Sequence, residues 1–303
     1  MYDTLKLWIA NEEIKDSRYL IKVPTILNNV SEHQTEFGNY YTGYLDNLKV
    51  SCGETGISIN GSINKYWHQN NFNTMTKQQT ELSVNKLSDL LSVEVSNSDV
   101  KRIDLAHNFI VNEEPNSYYN LLGASSRYNR LEQSKSVYYS NKLRTKLFYN
   151  KIAEGKSKNE FIPKVWTNKN VLRYELRYTS RLPKQFNTAH VKAYDLYNEN
   201  FYIDIIDNWI KEYFEIKKNK LFTPNNMNLT NKDAKEYLLS ALIGMIGQNE
   251  VLKLTENWKD KFSTIRESHR FKKSLTELKG LTEESPLIDE LDTKILTIKE
   301  YYR

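Results

Sequence analysis

The chain has 303 residues, with 43 Lys and Arg against 38 Asp and Glu and a formal net charge of +5. A single cysteine, Cys52, excludes an internal disulfide framework and a multi-cysteine zinc site. No apolar run reaches the ~18 residues of a spanning helix, and the opening MYDTLKLWIANEEIKD is too charged for a secretory signal, so the sequence reads as a soluble cytoplasmic protein with no membrane contact.

The positive charge is concentrated. Residues 141–184 hold 12 Lys or Arg against three Glu, which leaves the rest of the chain slightly acidic. A basic span beside 21 Tyr and 11 Phe suits a polyanion with stackable bases, although an excess this small is not diagnostic.

In chain order, residues 19–26, 41–50 and 56–63 are rich in β-branched and aromatic residues and predict strands. Gly61, at the start of GSINKYWHQNNF, marks a bulge, a close backbone approach or a plain turn. Thr76 and Gln79 form a capping box. Behind it Val84, Leu87, Leu90 and Leu91 fall on one helical face, which predicts a helix ending near Val93. Residues 100–111 (VKRIDLAHNFIV) predict a strand with Asp104, Ala106 and Asn108 on one face and Ile103, Leu105 and His107 on the other. Residues 112–133 carry no clear signal. SVYYSN (136–141) and the run ending in FYNK (145–151) predict two strands and a tight turn. VLRYELRYT (171–179) predicts another, with Arg173, Glu175 and Arg177 opposite Leu172, Tyr174, Leu176 and Tyr178.

After Pro183 helical periods take over, over 194–215, 232–247, 255–279 and 287–302. Thr230 and Asp233 form a capping pair and Gly280 stands at a C′ position. Residues 217–228 read as a basic, exposed connection. The expected fold class is therefore α+β: an N-terminal antiparallel-sheet catalytic domain over 1–185 and a helical C-terminal region over 186–303.

Several chemistries are absent. There is no phosphate-cradling GxxxxGK[ST], no GxGxxG after a strand, and no close pair among the five histidines. What remains is RID (102–104), the tyrosine pair Tyr138 and Tyr139 ahead of FYNK, and RYELR (173–177), each borne on a strand. A tyrosine oxygen can attack a phosphodiester and hold the phosphate covalently. Its ordinary pKa of about 10 calls for activation. A divalent Mg²⁺ or Mn²⁺ held by carboxylates would stabilise the developing charge, and nearby Lys or Arg would assist. Asp104 and Glu175 offer two ligands, with His68 or Asn108 as a third. The bland alternatives are a salt bridge from Asp104 to Arg102 or another cation, and a cross-strand ion pair for Glu175.

IDLAHNF after a helix, FYNK preceded by SVYYSN, and RYELR together resemble the rolling-circle replication initiators of filamentous phages and related plasmids, over roughly residues 55–185. GSINKYWHQNNF resembles an upstream segment of the phage members. The resemblance implies metal-dependent nicking of one origin strand through a tyrosine, with a 5′-phosphotyrosyl intermediate and a free 3′ hydroxyl. It puts Tyr138 at the nucleophile position, Asp104 and Glu175 at the acidic positions and Lys151 at the motif lysine. Asn108 stands where plasmid members carry a second acid, the wider group's His-hydrophobe-His pair is missing, and a shift of one residue would make Tyr139 the nucleophile. Single-stranded and supercoiled origin DNA are the implied substrates, with Lys142, Arg144, Lys146, Arg173 and Arg177 along the phosphates. For the C-terminal helices three roles stay open: reading duplex origin DNA, contacting a host helicase or pairing subunits. The competing readings are a non-catalytic origin-binding protein of the same fold and a conjugative relaxase.

Overall fold

Alternating apolar and polar residues fold most of the first 180 residues into strands, and helical repeats follow. The computed structural model describes residues 1–36, 38–219, 230–246, 248–256, 258–277 and 285–301. In chain order these give β1 (Tyr2–Ala10), α1 (Tyr19–Thr25), β2 (Asn28–Thr35), β3 (Gly38–Leu45), β4 (Leu48–Gly53), β5 (Gly56–Ser62), α2 (Ile63–His68), α3 (Lys77–Leu91) and β6 (Asp99–Val111). Next come α4 (Pro115–Tyr119), β7 (Leu122–Ser125), β8 (Asn129–Gln133), β9 (Ser136–Ser140), β10 (Arg144–Asn150), α5 (Lys151–Ser157), β11 (Asn170–Tyr178) and α6 (Leu182–Gln185). The C-terminal third holds α7 (Glu199–Phe214), β12 (Ile216–Lys218), α8 (Asn231–Ile246), α9 (Gln248–Glu256), α10 (Ile265–Glu277) and α11 (Pro286–Tyr301).

Ten strands form one sheet in the order β2-β3-β4-β5-β1-β6-β11-β10-β9-β8, with every neighbouring pair antiparallel. β12 pairs with β7 as a separate ribbon. This is the expected α+β class. One face of the sheet is apolar. Leu5, Leu7, Ile103, Leu105, Phe148 and Tyr174 are buried there, in one core with Trp209 of α7 and Leu291 and Ile295 of α11. Aromatic rings tie the layers together: Phe148 stacks on Tyr174 at 4.5 Å, and Tyr174 meets Trp209 at 4.4 Å. The core therefore does not divide at residue 185. α7 and α11 lie beyond that point yet complete the core of the sheet, whereas α8, α9 and α10 gather around a second, small cluster of Ile243 and Leu275.

Local signals account for several boundaries. Thr76 accepts from the Gln79 amide at 3.2 Å, and the Gln79 side chain accepts from the Thr76 amide at 3.0 Å, so the capping box starts α3. Thr230 and Asp233 cap α8 in the same reciprocal way. Gly61 is a close approach: a Cβ there would sit 2.9 Å from Leu48 Cδ2 and 3.0 Å from the Asn47 carbonyl oxygen.

Other expectations are corrected. Residues 19–26 are the helix α1 and not a strand: Tyr19 and Val23, four apart, are buried while Ile21 is 72% exposed, a helical period. The expected strand 41–50 is broken at Asp46, whose φ of 52° turns the chain from β3 into β4. β1 and β2 have no counterpart among the predicted elements, and the unassigned 112–133 supplies α4, β7 and β8. The helix expected over 255–279 is the end of α9 followed by α10. Gly280, Tyr302 and most of the basic connection, 220–229, lie outside the described residues.

Candidate functional site

The second face of the sheet is charged, and the strand period puts it there. In β11 Leu172, Tyr174 and Leu176 enter the core, so Arg173, Glu175 and Arg177 share the other side. β6 contributes Arg102, Asp104 and Asn108 to that side, in register beside β11: Arg177 lies opposite Asp104, and Arg173 opposite Asn108. β1 adds Asp3 by an irregularity. Its register against β6 shifts between Tyr2 and Leu5, so both of those enter the core and Asp3 turns to the charged face.

Three carboxylates and three guanidiniums thus alternate across β1, β11 and β6. Arg173 reaches Asp3 Oδ2 at 2.8 Å and Glu175 Oε2 at 3.6 Å. Arg177 Nε donates to Glu175 Oε1 at 2.8 Å and lies 3.8 Å from Asp104 Oδ2. Arg102 grips both Asp104 oxygens, at 2.8 and 2.6 Å. Asp3, Asp104, Arg173 and Glu175 are all buried. Burial raises the Asp104 pKa above the usual carboxylate range against the pull of the Arg102 bonds, and the Glu175 charge adds to the rise. The plain ion pair expected between Asp104 and Arg102 is therefore present, whereas Glu175 pairs with Arg173 and Arg177 of its own strand and not across strands, because residues two apart on β11 share a face.

The tyrosine pair separates across the sheet. Tyr138 stands opposite Leu147, which stands opposite Glu175, so Tyr138 and Glu175 share the charged face two strands apart, about 10 Å between backbones. Tyr138 is half-buried and lines a cleft of about 270 Å³ with Tyr149, Arg177, Glu154 and Lys158, walled on one side by α5. Tyr139 points to the other face. It is fully buried, its hydroxyl donates to the carbonyls of Leu122 and Gly123 at 2.7 and 2.8 Å, and burial pushes its pKa up to about 12. Tyr149 joins the two parts, its hydroxyl 3.4 Å from Glu175 Oε2.

The other expected site residues fall in three places. Asn108 belongs to the row, but its amide donates to the carbonyls of Asn71 and Phe72 at 3.1 and 2.9 Å and its oxygen accepts from Arg173 at 3.3 Å, so it fastens the loop after α2. His68 lies at the end of α2 and His107 on the core side beside Phe109, with burial lowering both and His107 to about 3. Lys151 is buried, held by Glu154 at 2.5 Å and Glu160 at 3.4 Å, next to the cleft.

Of the five cations expected along DNA, Lys142 is exposed at the hairpin tip, Arg177 borders the cleft and Arg173 is buried in the row. Arg144 and Lys146 need correction. Their parity on β10 turns them to the core side, where Arg144 pairs with Glu212 at 2.5 Å. Lys146, with no exposed surface, meets Glu212 at 2.7 Å and Ser125 at 2.9 Å. Both are engaged in locking α7 to the sheet. The sequence reading missed Asp3, Tyr149 and the cleft residues Glu154 and Lys158. Tyr149 was legible, since it shares parity with Leu147 on a strand already predicted.

Asp104 and Glu175 bring the hard oxygen donors that Mg²⁺ or Mn²⁺ takes, so the donor chemistry fits a divalent ion. As placed, each is engaged by arginine, and among the described residues no group of three or more His, Cys, Asp or Glu is arranged to hold a metal. No helix among the described residues is long and apolar enough to cross a membrane. Comparison with curated proteins gives no match. The family model for the N-terminal part of a phage replication-associated protein, the phage CRI family, matches residues 1–197, a span that contains the whole ten-stranded sheet, the charged row and the cleft, and the chain belongs to that family.

Proposed function

We propose that this replication-associated protein is a rolling-circle initiator that nicks one DNA strand through Tyr138. The observation that carries this is the shared face: Tyr138 lines a cleft bordered by Arg177, on the side of the sheet that also carries Glu175 and Asp104, while Tyr139 is sealed in the core. The Tyr138 oxygen forms a bond to phosphorus and the bond from phosphorus to the 3′ oxygen breaks. One proton leaves the phenol and one arrives on the departing oxygen, giving a 5′-phosphotyrosyl strand and a free 3′ hydroxyl. Asp104 and Glu175 would hold a divalent ion, which would supply Lewis-acid stabilisation of the phosphate charge. Arg177, between these carboxylates and the cleft, is placed to pair with a phosphate oxygen when it turns from Glu175. Tyr149 gives an unpaired base a ring to stack on.

The test is cleavage of a labelled single strand spanning the replicon's own origin, with Mg²⁺ or Mn²⁺ and with a chelator. Tyr138→Phe and Glu175→Gln should each abolish cleavage, by a factor of about a thousand or more, while keeping DNA affinity within about threefold. Binding without cleavage by the unaltered chain under every metal condition would establish the non-catalytic origin-binding reading instead. Cleavage of a transfer origin but not of a replication origin would make it a relaxase.

A further inference from the structure

α10 carries two opposed stripes. Ser268 and Leu275 are buried and Phe271 half-buried, at helical steps of three and four, and they seat the helix on α8 and α9 through Ile243, Leu239 and Val251. On the opposite side Arg266, His269, Arg270 and Lys273 are all exposed. Their spacing of i, i+3, i+4 and i+7 places them on one face, along about 10 Å of helix.

Two features mark this stripe as more than a solvated surface. Arg266 and Arg270 stand four apart, where like charges repel and weaken a helix that has no anion to meet them. The acids engaged on this helix serve other contacts: Glu267 accepts from Ser263 in the turn before the helix, and Glu256 of α9 pairs with Lys272 at 3.6 Å. Both arginines are exposed and present their charge outward, side by side. The charged row of the sheet, by contrast, balances three carboxylates with three guanidiniums, and Arg144 and Lys146 are spent on Glu212.

We infer that the outer face of α10 is a second DNA-contacting surface, which docks on the phosphate backbone of duplex DNA while the sheet face handles the single strand. Duplex DNA fits because it presents one negative charge per about 1.7 Å of axis, so more than one phosphate falls within reach of the Arg266 and Arg270 pair. Arginine, with its planar fork, is suited to phosphate oxygens. The contact carries no base-reading group, so it sets affinity and salt dependence and not sequence choice.

The experiment uses the full chain. A fluorescent duplex carrying the origin, and a second of scrambled sequence, are titrated by anisotropy between about 50 and 200 mM salt with wild type, Arg266→Ala/Arg270→Ala and Arg266→Lys/Arg270→Lys. The alanine pair should weaken both duplexes about tenfold at low salt and flatten the log–log salt slope by about two. The lysine pair should keep the slope. Cleavage of the single strand should be unchanged in both, because these residues lie outside the sheet. Unchanged duplex affinity and slope in the alanine pair would overturn the inference, and so would an equal loss in the lysine pair, which retains the charge. Failure of the wild type to cleave any single strand would count against Tyr138 chemistry alone, because duplex binding is read separately.

Discussion

Adjacent residues of a strand face opposite sides of a sheet, and at Tyr138 and Tyr139 that alternation decides which phenol meets solvent. Tyr139→Phe removes a hydroxyl that serves two buried carbonyls and should cost about 1 kcal/mol of stability while leaving cleavage intact, read by urea melts beside the nicking assay. Lys146 shows the converse case. A basic residue in a basic span looks like a phosphate contact, but its place on the core side of β10 makes it the partner of buried Glu212. Lys146→Ala should lose about 3 kcal/mol and leave single-strand affinity unchanged at fixed salt. Burial works against the Glu212 charge, yet the Lys146, Tyr128 and Arg144 contacts hold its pKa below the ordinary 4.5. A carboxyl with a depressed folded pKa contributes stability that is present above its unfolded value and lost as pH falls through the folded one. Glu212→Gln should therefore be less stable than wild type near neutrality and show a flatter decline in urea midpoint below about pH 4.5.

At the scale of elements, the parts of the site built on regular alternation were legible. β6, β9, β10 and β11 follow period two closely enough that the shared face of Asp104 and Glu175, and the split of the tyrosine pair, follow from the sequence alone. The third carboxylate could not. In a regular strand Asp3 would share the side of Leu5, Leu7 and Ile9, and only the register shift near Tyr2 turns it to the charged face. α1 was misread because β-branched and aromatic residues predict a strand, whereas the burial of Tyr19 and Val23 follows a helical step set by the sheet beneath. The capping box of α3 is a purely local signal. Thr76→Ala should cost about 1 kcal/mol, measurable as a lower melting temperature with unchanged cleavage, because α3 supplies no residue to the charged face or the cleft.

Over the whole molecule, the fold sorts the positive charge of the basic span and of segments outside it into three uses. Arg144 and Lys146 fasten α7 to the sheet, Arg102, Arg173 and Arg177 balance a row of acids, and the outward cations of α10 belong to a small helical cluster of their own. Composition could reveal the excess but not this partition, which depends on strand parity and on which helices close the core. The change of character at residue 185 was visible, yet α7 and α11 return to the sheet and only α8, α9 and α10 stand apart from its core. The most direct test of the account is to trap the covalent adduct with the replicon's origin strand, digest the protein and localise the nucleotide by tandem mass spectrometry within the peptide spanning residues 136–142, in wild type, Tyr138→Phe and Tyr139→Phe. The account predicts the nucleotide on Tyr138, its loss in Tyr138→Phe and its persistence in Tyr139→Phe. An adduct on Tyr139 or on any residue outside that peptide would contradict it.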